Sequence, residues 1–291
     1  MQKNTLILTA PQWFFAASFC AWVEFPTLKM ESVHKVEVHK PKSRTLDDER
    51  PRPDSPDQAT FQHHLARYQF ALGQLAGGER ILDAGCGTGY GSRLLREKAR
   101  SVVGVDYSPL AVGYATERYA GPGVSFAAMD CQCLGFLSAR FDAVVSFEVF
   151  EHMENPEAFL SEIVRVLAPR GRLILSTPNR ITTDVHMRSI GQRNDFHVNM
   201  MDATGLRKVL ARHFSRIELY AQRRRGNRIY AALRALDVWN LRLRLLPNRH
   251  REQMQKAFNV PVGEAAVAEA WVFERSQIRQ ANTLVAVCRK P

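Results

Sequence analysis

Short apolar runs alternate with amphipathic stretches through the middle of this chain. Ile81 and Leu82 lead into a turn, and the runs Ser101 to Val105, Val124 to Ala128, Phe141 to Phe147 and Gly171 to Thr177 each read as a further buried strand. Ser108-Pro109 and Asn155-Pro156 both join an N-cap residue to a proline suited to the first helical position, so a helix begins at each, the first ending near Tyr119. Asp202 opens another helix, with Leu206, Val209 and Leu210 facing inward. Strands that alternate with helices in this way predict a parallel sheet covered on both faces, an α/β fold. Upstream, Leu65, Tyr68, Ala71, Leu72 and Leu75 recur at helical spacing, which predicts a helix between Thr60 and Leu75. His63, His64 and Arg67 fall off that stripe, and the two histidines are expected to face solvent.

The first strand runs into Asp83-Ala84-Gly85-Cys86-Gly87-Thr88-Gly89-Tyr90-Gly91. Glycines at 85, 87 and 89 allow positive φ and close approach of a ligand, and the helix that follows offers free N–H groups. A dinucleotide fingerprint counted from Gly85 would place its third glycine at position 90, which is Tyr90. Asp83 would repel a pyrophosphate but suits a ligand bearing an ammonium and a sulfonium, which is S-adenosylmethionine. Asp106, about twenty residues past the turn at the end of the second strand, stands where an acid can take both ribose hydroxyls. Asp130, with Cys131, ends the third strand and is placed to accept from an adenine amino group. The helix between Thr60 and Leu75 is expected over the mouth of this site.

From Glu79 to about Leu219 the chain resembles the class I S-adenosylmethionine-dependent methyltransferases, among them a broad bacterial group acting on small molecules and glycans. The resemblance rests on Leu82 to Gly89, Val105-Asp106, Phe141-Asp142, Phe147 to His152, and Val166-Leu167-Ala168-Pro169-Arg170-Gly171. It implies a Rossmann-like, doubly wound sheet of about seven strands with the last antiparallel, the final two falling near Arg216 to Ala221 and Thr283 to Arg289. It further implies Asp83, Gly85, Gly87 and Gly89 around the methionine end of the cofactor, Asp106 at the ribose, and Asp130 and Cys131 at adenine, with Tyr107 as a further cofactor contact. Phe147 and Glu148 are then expected beside the transferred methyl. Arg170, where many relatives have glycine, falls in a turn.

The chemistry is expected at Phe147 to Met153, where the fourth strand ends. An acceptor hydroxyl must lose a proton, and His152, with Glu151 beside it, has a suitable ordinary pKa of about 6.5; a capping or packing role for His152 is the alternative. Glu148, Glu151, His152 and His197 could also converge on a divalent ion that acidifies the acceptor directly. Similar Glu-x-x-Glu-His clusters occur in ubiquinone-biosynthesis O-methyltransferases and, with a later histidine, in small-RNA 2′-O-methyltransferases, which Ser176-Thr177-Pro178-Asn179 also resembles. The same pieces occur in the bacterial group without an implied metal.

At 291 residues and 45% hydrophobic composition there is room for one large domain with appendages. Five cysteines, with only Cys131 and Cys133 close together, give neither a disulfide framework nor a zinc pattern, and a reducing cytoplasm fits them. Residues 6–23 include an apolar run resembling a signal peptide, but Pro11 and Gln12 interrupt it and it falls short of a span of about twenty residues. Met30 is the preferred working start, with membrane-surface attachment as the other reading of that run. The proline-punctuated, charged stretch that follows is expected to be a linker, making 1–57 a largely disordered extension ahead of a core over 58–222. Residues 223–276 carry Arg223, Arg224, Arg225, Arg228, Arg234 and further arginines among Tyr230, Leu233, Leu236 and Trp239, and are expected to form a basic helical lid before the final strand in 277–291. With a net charge of +11, such a lid could meet nucleic acid, an acidic sugar or an anionic membrane, or pair two copies as a homodimer. The reading preferred from sequence is O-methylation of a small molecule or a glycan or nucleotide-sugar precursor. The alternatives are a metal-dependent RNA 2′-O-methyltransferase and a non-catalytic cofactor-binding partner subunit.

Overall fold

The computed structural model describes residues 50–54, 58–190, 197–224 and 271–291. Its strands are β1 (Arg80–Ala84), β2 (Ser101–Asp106), β3 (Val124–Ala128), β4 (Phe141–Phe147), β5 (Leu167–Pro178), β6 (Arg216–Arg224), β7 (Trp271–Glu274) and β8 (Thr283–Arg289). They form one sheet in the order β3-β2-β1-β4-β5-β8-β6-β7. The first five strands are mutually parallel, and β8 runs antiparallel between β5 and β6. The helices are α1 (Gln58–Gln74), α2 (Tyr90–Leu95), α3 (Pro109–Tyr119), α4 (Pro156–Val166), α5 (Arg180–Ile190) and α6 (Ala203–Leu210), with 3-10 turns at Phe150–His152 and Ile278–Gln280. The expected caps are made: Ser108, Asn155 and Asp202 accept from the N–H groups of Ala111, Ala158 and Gly205, closing the first turns of α3, α4 and α6.

Period-two alternation in the strands divides the core. Val144 and Leu173 face α4 and α6, where Phe159, Leu160, Ile163, Val166, Leu206 and Leu210 are wholly buried. Ala143, Val145 and Ile174 face the other way, against Tyr68, Ala71 and Leu75 from the α1 side and Leu95 of α2. Each of those large α4 side chains contributes about 1.5–3 kcal/mol by leaving water. β1 lies between β2 and β4, the point at which the strand order reverses, so a crevice opens at the carboxyl ends of β1, β2 and β4. Because β6 opposes β8, and β8 opposes β5, the carboxyl end of β6 reaches the same edge of the sheet.

Three expectations change. The sheet has eight strands rather than seven, since Trp271–Glu274 pairs antiparallel with Ala221–Arg224. Those four residues, placed from sequence in the helical lid, form strand because Trp271-Val272-Phe273 is an aromatic and β-branched run beside an open edge. Residues 225–270 of the expected lid, residues 1–49 of the expected extension and Arg225 to Trp239 within that lid lie outside the described residues. Finally, His63 and His64 are half-buried rather than solvated; the ring of His63 stacks on Trp271 with centroids 4.5 Å apart. Among the described residues no helix is long and apolar enough to cross a membrane.

Candidate active site

The turn after β1 is built for close approach. Gly85, Gly87 and Gly89 have φ of 82°, 53° and 85°. A Cβ on Gly85 would stand 2.2 Å from Val149 Cγ2, and one on Gly89 would stand 2.6 Å from Ala115 Cβ, so packing forbids a side chain at either. At Gly87 a Cβ would meet nothing nearer than the Arg50 side chain at 3.9 Å. Gly87 is thus covered only by the Arg50 side chain, at ordinary contact distance, and is the one glycine of the three at which a Cβ meets no close packing. Asp83 sits behind the turn, wholly buried, accepting from Ser92 Oγ at 2.6 Å and from Tyr68 Oη at 3.2 and 3.3 Å. Burial pushes its carboxyl up to about 7. The sequence reading set Asp83 against the cationic end of the cofactor; with no exposed surface, it meets a ligand only through Tyr68, Ser92 and the turn.

Asp106 closes β2 with its carboxylate at the crevice. Oδ2 accepts from the N–H of Gly87 at 2.9 Å, and Oδ1 from the N–H of Ser108 at 2.9 Å and from Arg50 Nη2 at 3.1 Å. The backbone bonds fix the acid, while Arg50 occupies one face of it. Thr88 Oγ1 donates to the carbonyl of Pro51 at 3.1 Å, so residues 50 and 51, expected to belong to a linker, lie across the turn. Tyr107 is 77% exposed beside Asp106, leaving an aromatic face uncovered. After β3, Asp130 Oδ1 accepts from the N–H of Gln132 at 2.8 Å, and Cys131 is buried with its thiol pushed up to about 12, an uncharged wall at neutral pH.

The carboxyl end of β4 carries a denser polar network. Phe147 is buried edge-on against Tyr68. Glu148 follows at φ 54°, a left-handed conformation rare for a long side chain. Its N–H donates to Ser176, and its Oε1 accepts from Ser176 Oγ at 2.7 Å and pairs with Arg67 Nη1 at 2.9 Å. Arg67, on α1, is wholly buried and was not singled out from sequence. Glu151 is buried in the 3-10 turn, accepting from Thr177 Oγ1 at 3.2 Å, and burial followed by the charge of Glu148 raises its carboxyl well above the ordinary range. Asn199 ties the later loop to this turn through the carbonyls of Glu151 and Phe150. His197 is thereby brought to His152, with ring centroids 4.9 Å apart.

Of the four candidate metal ligands, Glu151, His152 and His197 each offer a donor atom within 4.8 Å of the others. Glu148 is engaged instead by Arg67 and Ser176. The Ser-Thr-Pro-Asn stretch at the end of β5 also resolves into separate tasks. Ser176 holds Glu148, Thr177 holds Glu151, and the buried amide of Asn179 donates to the carbonyls of Ile278, Arg279 and Ala281, pinning the segment before β8.

Residues 82–175 match the family described as "Methyltransferase domain". A probable S-adenosylmethionine-dependent methyltransferase of Mycolicibacterium smegmatis is 37% identical over 150 residues, 52% of this chain and 56% of that protein. A ubiquinone biosynthesis O-methyltransferase of Cereibacter sphaeroides is 32% identical over 116 residues, 39% of this chain and 47% of that protein. The aligned stretch thus spans about half the length of these curated relatives. Among solved structures, a SAM-dependent methyltransferase of Thermotoga maritima superposes with a TM-score of 0.54 at 16% identity, covering 79% of this chain and 92% of that one, a likeness of fold. The strand order, the acid at the end of β2 and these matches agree: residues 82–175 are a methyltransferase domain, similar to those of S-adenosylmethionine-dependent methyltransferases.

Proposed function

We propose that the chain methylates a hydroxyl of a small molecule or of a glycan or nucleotide-sugar precursor. When bound, S-adenosylmethionine supplies an electrophilic methyl on a sulfonium, whose sulfur keeps the electron pair of the broken C–S bond. Asp106 would hold the ribose hydroxyls and Tyr107 would cover adenine beside Asp130 and Cys131, while Gly87 leaves room for the chain between them. A ring nitrogen of His152 takes the proton from the acceptor hydroxyl as the new O–C bond forms, with Glu151 fixing the turn that carries the imidazole. The observation that carries this reading is the joint placement of Asp106, Glu148 and His152 at one edge of the sheet, on the ends of β2 and β4 and the turn after it. The O-methyltransferase name of the Cereibacter relative supports oxygen as the atom methylated. The arginine-rich composition of residues 225–270 supports an anionic acceptor.

A second reading is a divalent ion held by Glu151, His152 and His197 and acting on an RNA 2′-hydroxyl. It is favoured by the convergence of these three side chains and by a buried carboxyl that a cation would keep ionised. To separate the two, carbon-13 methyl S-adenosylmethionine is incubated with the chain and a deproteinised extract, and the products are read by NMR. A methoxy carbon that forms in the presence of chelator supports the first reading. Transfer that stops with chelator and resumes with added metal supports the second, and an N-methyl or C-methyl carbon sinks both.

A further inference from the structure

Arg67 is the largest wholly buried side chain among the described residues. Burying a guanidinium is costly unless it is paired and hydrogen-bonded, so the position of its charge is informative. Nη1 points at Glu148 Oε1 at 2.9 Å and Ser176 Oγ at 3.2 Å, and Nη2 lies 3.3 Å from His63 Nδ1. Ser176 completes a closed ring. Its hydroxyl donates to Glu148 Oε1 at 2.7 Å, and its lone pairs accept from Arg67 and from the N–H of Glu148. The ring holds Glu148 in its left-handed backbone conformation and places two contacts on one carboxylate oxygen. Among the described residues Oε2 takes no hydrogen bond, and the Glu148 side chain is 19% exposed while that of Arg67 is 1% exposed. The arginine thus reaches the crevice only through the glutamate. Its helix, α1, lies upstream of residues 82–175, the segment matched to the methyltransferase family.

We propose that Arg67 is a positioning residue for methyl transfer: with Ser176 it holds Glu148 in one rotamer, Oε2 toward the reacting groups, which makes α1 a working part of the active site. This rests on the methyl-transfer reading above. If the acceptor is aligned against Oε2, a loosened Glu148 admits misaligned poses and slows transfer while leaving the cofactor's ribose contacts at Asp106 in place.

The test uses the full chain with Arg67→Lys, Glu148→Gln and the double variant. Lysine keeps the charge but lacks the planar guanidinium, so one ammonium cannot hold Glu148 and Ser176 through one nitrogen and His63 through another in the same geometry. Three quantities are read: denaturant unfolding, calorimetric affinity for S-adenosylhomocysteine, and kcat and KM with the acceptor found for the wild type. Arg67→Lys is expected to stay folded, to bind S-adenosylhomocysteine within about threefold of wild type, and to lose about tenfold or more in kcat. Glu148→Gln should lose a similar factor, and the double variant no more than the worse single one, because one residue acts through the other. A folded Arg67→Lys with wild-type kcat overturns the proposal, as do losses that multiply in the double variant. Should Arg67→Lys fail to fold, Ser176→Ala opens the same ring through a small side chain; a tenfold loss that does not multiply with Glu148→Gln supports the proposal, and wild-type kcat overturns it. A wild-type chain that transfers methyl to no acceptor defeats the methyl-transfer reading itself, before any variant is compared.

Discussion

Replacing Asp106 by alanine is expected to remove most cofactor affinity while leaving the fold. The carboxylate accepts from the N–H groups of Gly87 and Ser108 and from Arg50, and a ribose diol would take the face that Arg50 now holds. Two charge-assisted hydrogen bonds to the diol are worth about 1.5–3 kcal/mol each, so their loss corresponds to about 10²–10⁴-fold in Kd. The cost to folding is smaller, because Asp106 borders the crevice and water can reach the two amides, about 1–2 kcal/mol. Asp106→Asn should fall between, since its amide oxygen still accepts one bond without the charge. Arg50→Ala should act in the opposite direction. The Arg50 and Asp106 side chains are 23% and 10% exposed, and freeing the acid from such a part-exposed pair is worth about 1 kcal/mol at most, up to about fivefold tighter binding. Calorimetric titration of each variant with S-adenosylmethionine, alongside denaturant midpoints, measures both effects. Unchanged affinity in a folded Asp106→Ala would refute the ribose assignment, and weaker binding in Arg50→Ala would show that Arg50 joins the cofactor instead of competing with it.

The glycines of the turn should separate. Gly87→Ala adds a methyl that touches only the Arg50 side chain and is expected to block the cofactor with a stability loss of only about 1 kcal/mol from its positive φ, whereas Gly85→Ala meets Val149 and should unfold the turn, both read by calorimetry and thermal melts. Asp83 gives a pH signature. Its carboxyl is raised from 3.8 to about 7 by burial, so its share of stability is full below about pH 4 and is lost as pH climbs through 7, on the order of 4 kcal/mol. Asp83→Asn should flatten that slope in denaturant midpoints taken from pH 4 to 8, and an unaltered slope would assign it to another group. His152→Ala is expected to lower kcat by about 10²-fold or more with little change in cofactor affinity; wild-type turnover would return His152 to a packing role.

Much of the fold around the glycine turn was legible because it is local in sequence. A strand, a glycine turn and an acid about twenty residues on are set by short-range rules, and the caps at Ser108, Asn155 and Asp202 follow the same chemistry. What escaped depends on contacts between distant residues. Arg67 and Ser176 are 109 positions apart, and Arg50 and Asp106 are 56 apart, separations that no periodicity encodes. Arg67 and the two histidines fell off the apolar stripe of α1, and the histidines read as solvated, yet Leu65, Ala66, Arg67 and Tyr68 are consecutive and all buried, so the helix is covered on more than one side. Part of that cover is β7, whose Trp271 stacks on His63 and whose Phe273 stacks on Phe70. The run Trp271-Val272-Phe273 was the available signal for that strand, and the arginines before it masked it. The complete burial of Asp83 was not legible, since alternation along β1 says which residues share a face and not what covers that face.

The central claim is most directly tested by following labelled methyl from S-adenosylmethionine into a deproteinised extract, with the wild-type chain and with Asp106→Ala, each with and without prior ribonuclease treatment. The account predicts label in a ribonuclease-resistant product with the wild type and none with Asp106→Ala. Label that disappears with ribonuclease would contradict the small-molecule or glycan acceptor, and equal label with both chains would contradict the site itself.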